Sequence, residues 1–353
     1  MSAAANSSLG TDTPLFLRDL WYMAGLAADT RRGQLRRQIL LGEPVLIGRM
    51  QDGSVFALRD ICPHRGVPLS AGRVMAEGTV ECPYHGWRFK ADGGCAAIPS
   101  LVEGQDMDPA KIRVRSYPVR EQDGLIWIYM PSQEGAAPKS EPPRVGVKHA
   151  RPRWHESQSF ACAIDHAVIG LMDPAHAPYV HGRWWWKVAP RVKEKHYAPL
   201  PTGFVMTRHQ PSKVAYKFLG DVTTEITFEL PGTRFENIRG IIGGKQVDVV
   251  GLTTCTPIDA ETTQVTQIFY WPGWMTFLLP FFWAFGRTFL NDDRQMVELQ
   301  REGLKFNPAL MLIQDSDVPA MWYHRLKKAW AESTASGTAF INPIKERVLK
   351  WRS

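Results

Sequence analysis

The sequence predicts an α+β protein in which a small all-β domain precedes a larger domain built on a broad antiparallel sheet. Three observations carry this reading. Short β-rich runs punctuated by turn residues occupy the first third. A Pro-, Gly-, Ser- and Ala-rich stretch, Pro131–Pro143 (PSQEGAAPKSEPP), follows them and has linker composition. The remaining chain adds further β runs and one helical signal near its C-terminal end. At 353 residues the chain is long enough for two such domains. We expect a frayed N-terminus over residues 1–16, a first domain over 17–133 and a second over 134–353.

In the first domain Ile39–Leu41, Val45–Arg49 and Val55–Arg59 are rich in β-branched residues, with Gln51-Asp52-Gly53 as a hairpin turn. Val114–Val119 and Leu125–Tyr129 continue the pattern around a turn at Gln122-Asp123-Gly124. Beyond the linker, strands are expected at Phe204–His209, Glu225–Leu230, Val247–Cys255 and Gln264–Trp271. A helix is expected only at Asp292–Phe306, where Met296, Val297, Leu299 and Leu304 hold one face. No internal repeat is present.

Ile268–Gly286 (IFYWPGWMTFLLPFFWAFG) approaches the length of a membrane span. Pro272, Gly273, Pro280 and Gly286 interrupt it, however, and Arg287 and Asp292 follow directly. A buried strand-to-helix passage lining an apolar pocket is the favoured expectation, with shallow membrane contact as the other.

Composition is that of an ordinary globular protein, 44% hydrophobic and 22% charged. The formal charge of +7 is dispersed, apart from Arg31, Arg32, Arg36 and Arg37, and no nucleic-acid recognition motif accompanies it. It reads as a solvated positive face or as a docking surface for an acidic protein. The cysteines number five, and Met1–Thr13 lacks the apolar core of a secretion signal, so a disulfide framework is not expected and the cytoplasm is the expected compartment.

Cys62-Pro63-His64 and Cys82-Pro83-Tyr84-His85 form C-x-H followed, after seventeen residues, by C-x2-H. Two Cys and two His suit zinc. Yet both pairs fall on loops between strands, and C-x-H is a short spacing for two ligands of one tetrahedral ion. A [2Fe–2S] centre divides the ligands differently, two thiolates on one iron and two imidazoles on the other, so each loop serves both metals. The flanking residues, CPHRG at 62–66 and CPYHGW at 82–87, resemble the Rieske family. Gly66 and Gly86 would let the backbone close around the group, and Pro63 and Pro83 would stiffen the loops.

A second constellation, Asp173-Pro174-Ala175-His176-Ala177-Pro178-Tyr179-Val180-His181, reads D-x2-H-x4-H. By itself such a pair is as well explained by exposed or core-satisfied histidines. Downstream of the first motif it resembles the iron-site motif of Rieske ring-hydroxylating oxygenases and demethylases. The resemblance implies that His176 and His181 bind a mononuclear iron. Asp173 would then be the acidic bridge between an iron ligand and a cluster histidine of the neighbouring subunit. Many relatives place Asn three residues before that Asp, where this chain has Gly170. Asn291-Asp292-Asp293 followed by Glu298-Leu299-Gln300 resembles the family's acidic pair, whose second acid is the third ligand. That selects Asp293, with Asp292 as runner-up; two acids favoured at a helix N-terminus would fit the same residues.

The resemblance runs from Trp21-Tyr22 to this helix. It implies a helix-grip-like catalytic domain, O2 as co-substrate, a head-to-tail homotrimer, and electrons from NAD(P)H only indirectly, since no dinucleotide or flavin fingerprint is present. A separate reductase is implied, with an acidic ferredoxin suited to Arg65 and Arg88 beside the cluster loops. Chain length resembles the single-subunit mono-oxygenase and demethylase branch, favouring hydroxylation or O- or N-demethylation over cis-dihydroxylation. Trp184–Trp186 and the Trp271–Phe285 run suggest a wide apolar pocket for a bulky hydrophobic, aromatic or polycyclic substrate, core packing and trimer contacts being the alternative. An electron-transfer protein or a zinc-stabilised binding module would be the rival classes.

Overall fold

The structure is a computed structural model and describes residues 13–147, 150–181, 191–211 and 220–353. The expected Trp184–Trp186 contribution lies outside the described residues, as does most of the expected frayed terminus. The chain divides into two compact units, Arg18–Arg144 and Val145–Ser353, the latter joined by the residues before Arg18.

The first unit is all-β. Leu35–Leu40, Glu43–Arg49, Val55–Arg59 and Ser116–Tyr117 form one sheet. The first strand ends at Leu40 because Leu41 and Gly42, at φ 55 and 76, make the two-residue turn that pairs Leu40 with Glu43. The expected Val114–Val119 strand is broken at Pro118, which has no N–H for a ladder. Ser116–Tyr117 and Val119–Gln122 therefore belong to different sheets. Val119–Gln122 pairs with the fully buried Leu125–Met130, which in turn pairs with Leu20–Leu26. A third sheet, Arg73–Val74, Thr79–Glu81, Arg88–Lys90 and Cys95–Ala97, was not expected, its strands being too short to show alternation. Pro131–Pro143 is held against this unit: Trp21 Nε1 donates to Ser140 O at 2.7 Å, Gln122 Nε2 to Pro143 O at 2.9 Å, and Lys139 Nζ sits 2.7 Å from Asp19.

The second unit is built on an antiparallel sheet of eight strands among the described residues. Their spatial order is Trp154–Phe160, Thr263–Tyr270, Lys245–Pro257, Thr233–Ile242, Thr223–Glu229, Gly203–His209, Val192–Leu200 and Arg347–Arg352. Helices α1 (Ile164–Met172), α2 (Ala177–Val180), α3 (Leu279–Leu304) and α4 (Val318–Ser336) accompany it. The expectation of a single helix is thus corrected. α3 starts 13 residues before Asp292 because Pro280 occupies its first turn, where a missing N–H costs nothing. Gly286 lies inside it where a Cβ would strike the Trp154 indole. α4 opens on Pro319 and stops at Gly337, which takes the left-handed conformation at φ 70.

The Ile268–Gly286 run is a strand, a 3-10 turn and the start of α3. Trp271 and Met275 are buried in a cluster with Trp154, Ile238, Val247 and Val249, whereas Trp274, Phe277 and Trp283 are exposed. Among the described residues, no helix is long and apolar enough to cross a membrane.

Candidate metal centres

The two cluster loops are built alike. Cys62 N–H donates to Val67 O at 2.9 Å and Gly66 N–H to Cys62 O at 2.9 Å; Cys82 N–H donates to Trp87 O at 2.8 Å and Gly86 N–H to Cys82 O at 3.1 Å. Each loop therefore turns back on its cysteine, and the reversal needs Gly66 and Gly86 in the left-handed region, at φ 74 and 68. Both cysteines are buried, while His64 is exposed and His85 half-buried. The imidazole centroids are 4.5 Å apart, and the Trp87 indole stacks on His64 at 4.8 Å and 7°. Burial and the adjoining Cys82 thiol push the Cys62 thiol up to about 11. Loss of hydration, the His64 ring and the Arg65 charge lower the pKa of His85, favouring the neutral imidazole that binds metal. Two thiols on the inner side and two imidazoles on the outer side fit the split ligand set of a [2Fe–2S] group.

Of the basic residues expected to face a partner, Arg65 is exposed beside His64. Arg88 instead pairs with Glu77 at 3.0 Å and Glu81 at 3.1 Å. Arg36 turns inward onto Ala24 O at 2.5 Å, and Arg37 faces Asp60 at 3.6 Å, so the N-terminal arginine cluster is not one open surface.

In the second unit the D-x2-H-x4-H segment makes the end of α1 and the whole of α2. Asp173 caps α1, and its Oδ1 accepts the Ala175 N–H at 2.7 Å. Its carbonyl oxygen lies 2.8 Å from His176 Nδ1, which fixes that ring and turns Nε2 toward α3. His176 and His181 flank α2, and Asp293 enters from α3. Asp293 Oδ1 is 3.2 Å from His181 Nε2 and 3.6 Å from His176 Nε2, so all three donors can meet one ion. Asp292 Oδ2 instead lies 3.7 Å from His181 Nδ1, on the far side of the ring. The side chain of His181 is 3% exposed, yet neither ring nitrogen has a hydrogen-bond partner. A buried imidazole left so is costly in a protein interior; a metal ion at Nε2 accounts for that nitrogen, and Asp292 is the carboxylate facing Nδ1. Two imidazoles and one carboxylate are the donor set of an iron site with open positions. Burial lowers the pKa of His176 despite the opposing pull of Asp293 and Asp173, which keeps a lone pair available. Phe289, a residue that sequence reasoning passed over, stacks on His181 at 3.4 Å and 19° and shields it.

These residues open onto a cavity of about 550 Å³, lined by His176, Asp293, Phe289 and the inner face of the sheet, Phe204, Phe228 and Phe269 among them. Of the Ile268–Gly286 run, Phe269 lines it, and none of the described side chains of Trp271–Phe285 does. Gly170 and Gln300 do line it.

Residues 20–118 match the Rieske [2Fe-2S] domain, so the first unit is a Rieske domain. Taken together, the cluster loops and the second unit's sheet resemble the Rieske-type non-heme iron oxygenases of the single-subunit kind. Among relatives, it is 39% identical over 169 residues to the oxygenase component of dicamba O-demethylase from Stenotrophomonas maltophilia, covering 47% of this chain and 48% of that protein. It is 34% identical over 176 residues to an iron-sulfur subunit of the toluene-4-sulfonate monooxygenase system of Comamonas testosteroni, covering 47% of each. The matched sequence spans about half the length of these relatives. The crystal structure of dicamba monooxygenase bound to dicamba superposes with a TM-score of 0.74 at 25% identity, over 92% of this chain and 99% of that one.

Proposed function

We propose that the protein is the oxygenase component of a Rieske-type mono-oxygenase that hydroxylates or demethylates an aromatic substrate. The observation that carries this is the convergence of His176, His181 and Asp293 beside a largely apolar cavity in a chain that also holds a Rieske domain. When bound, the cluster held by Cys62, His64, Cys82 and His85 supplies electrons, and an Fe(II) held by the second site supplies O2 activation. The protein's own residues set the conditions. His176 is oriented by the Asp173 carbonyl, His181 is sealed from water by Phe289, and the phenyl rings of the sheet face press a flat substrate toward the ligand side chains.

We further infer a head-to-tail homotrimer in which Asp173 bridges the iron site of one protomer and His85 of its partner. The Asp173 carboxylate is one-third exposed; Oδ1 accepts the Ala175 N–H at 2.7 Å, while Oδ2 lies 3.7 Å from His176 Nδ1, beyond hydrogen-bond length, and can serve a second imidazole. Electrons come from a separate NAD(P)H reductase, with an acidic ferredoxin docking at Arg65. The similar proteins are themselves described as an oxygenase component and a subunit of a system. The five cysteines are free, which suits a cytoplasmic setting.

Iron quantification, EPR of the dithionite-reduced protein and substrate-dependent O2 uptake test the reading. Two kinds of iron and incorporation of one oxygen atom from labelled O2 are expected. The cluster alone would make the chain an electron carrier, and zinc without iron a binding module. Both oxygen atoms in the product would make it a dioxygenase.

A further inference from the structure

The wall of the cavity opposite the helices is not uniformly apolar. Arg234 pairs across the sheet with Thr253, and Thr253 with Gln267, so the three lie in one row over adjacent strands. All three line the cavity. The Arg234 side chain is only 20% exposed, and the nearest carboxylate, Glu236, stands 3.5 Å away, beyond good hydrogen-bond length. The buried Gln267 Oε1 has no hydrogen-bond partner. Lys193 and Lys195 face the same space from the next-to-last strand, Lys195 Nζ resting on Gln210 O at 3.3 Å. Among the described lining residues outside the metal site, three cations therefore face one carboxylate, Glu236. Beside the row lie Phe228, which pairs directly with Arg234, and Phe204, which pairs with Phe228.

A buried guanidinium is held in native proteins by groups that satisfy its planar fork. Here the half-buried Arg234 has one long ion pair with Glu236, and the fork also borders the cavity next to aromatic rings. From this we propose that the substrate is a ring-bearing organic acid, a carboxylate or sulfonate gripped by Arg234, with the Gln267 amide N–H donating beside it and the ring lying against Phe204 and Phe228. This deepens the proposed function and rests on it for the identity of the cavity as the reaction chamber. It also narrows the expected hydrophobic substrate to one with an anionic end. Arg234 is a specificity-determining residue, which positions the ring without taking part in the chemistry. A charge-assisted bidentate contact discriminates where an apolar wall does not.

The test is anaerobic titration calorimetry of the metal-loaded protein with benzoate, methoxybenzoate, phenylacetate, cinnamate and toluenesulfonate, each beside its neutral methyl ester or amide. At least one acid is expected to bind roughly tenfold or more tightly than its neutral partner. Arg234→Leu and Arg234→Gln are expected to erase that difference by weakening the acid alone, and Arg234→Lys to restore part of it, with cluster spectrum and iron content unchanged. Comparing carboxylates with the sulfonate identifies the acid. Equal binding of acids and neutral partners, acid binding untouched in both Arg234 variants, or no acid bound at millimolar concentration would each overturn the proposal. The measurement needs no turnover. Arg234-dependent acid binding by a protein that takes up no O2 would sink the oxygenase reading alone, and O2 uptake driven only by neutral compounds would sink the acid subsite alone.

Discussion

Asp165 and Lys327 tie α1 to α4, and removing the aspartate should be among the costliest single changes in the catalytic unit. Lys327 Nζ lies 2.7 Å from both Oδ1 and Oδ2 of Asp165, and its side chain is 3% exposed. The Tyr323 hydroxyl donates to the same Oδ1 at 2.7 Å. Among the described residues, the ammonium in Asp165→Ala keeps only the Leu15 carbonyl, at 3.5 Å, and the tyrosine loses this acceptor. Breaking a buried pair from one side costs about 3–5 kcal/mol. Because the Asp165 side chain is 27% exposed, we expect the lower end, about 3 kcal/mol. For a unit of this size that lowers Tm by roughly 6–12 °C. Thermal and urea unfolding followed by tryptophan fluorescence would measure it. The double substitution Asp165→Leu with Lys327→Met should recover most of the loss, since the expense lies in the stranded charge. A cost in Asp165→Ala below about 1 kcal/mol, typical of an exposed pair, would refute the reasoning. α1 ends at Asp173, so iron retention on dilution should fall together with stability.

Three further outcomes follow from the metal centres. Asp293→Ala should lose the mononuclear iron and keep the cluster spectrum, whereas Asp292→Ala should keep iron at about tenfold or more weaker affinity; iron analysis showing the reverse would move the ligand by one residue. His64→Ala and Cys82→Ala should each fold without the cluster, and a Rieske EPR signal surviving in either would refute that ligand assignment. Asp173→Asn retains an acceptor for the Ala175 amide and the carbonyl that orients His176, so both metals should stay in place. Asp173→Ala should also keep both metals yet nearly stop product formation in single turnover from a pre-reduced cluster. A normal product yield would leave Asp173 as the end of α1, its side chain holding one local hydrogen bond worth about 1 kcal/mol.

What could be read from the sequence divides according to where each residue's partner lies. Cys62, His64, Cys82 and His85 are legible because their chemistry fixes residue types at short spacing, and each loop closes on itself through Gly66 or Gly86. His176 and His181 are legible for the same reason, being the two ends of one four-residue helix. α4 was not legible: Lys327 lies among its buried positions and interrupts the apolar stripe that periodicity detects, and only Asp165, 162 residues away, explains it. Pro280 and Gly286 read as breaks because their tolerance depends on a first turn and on the Trp154 ring, neither of which is local. The polar wall of the cavity fails by the same logic in reverse. Alternation along Thr233–Ile242 assigns Arg234 and Glu236 to the outside of the sheet, since polar residues ordinarily face water. Facing a cavity inverts that rule, because an inner face that must hold a ligand carries polar side chains whose partner is not part of the chain. Arg234, Thr253 and Gln267 become a group only through the pairing of three strands, and a binding site assembled across strands leaves no spacing in sequence to find.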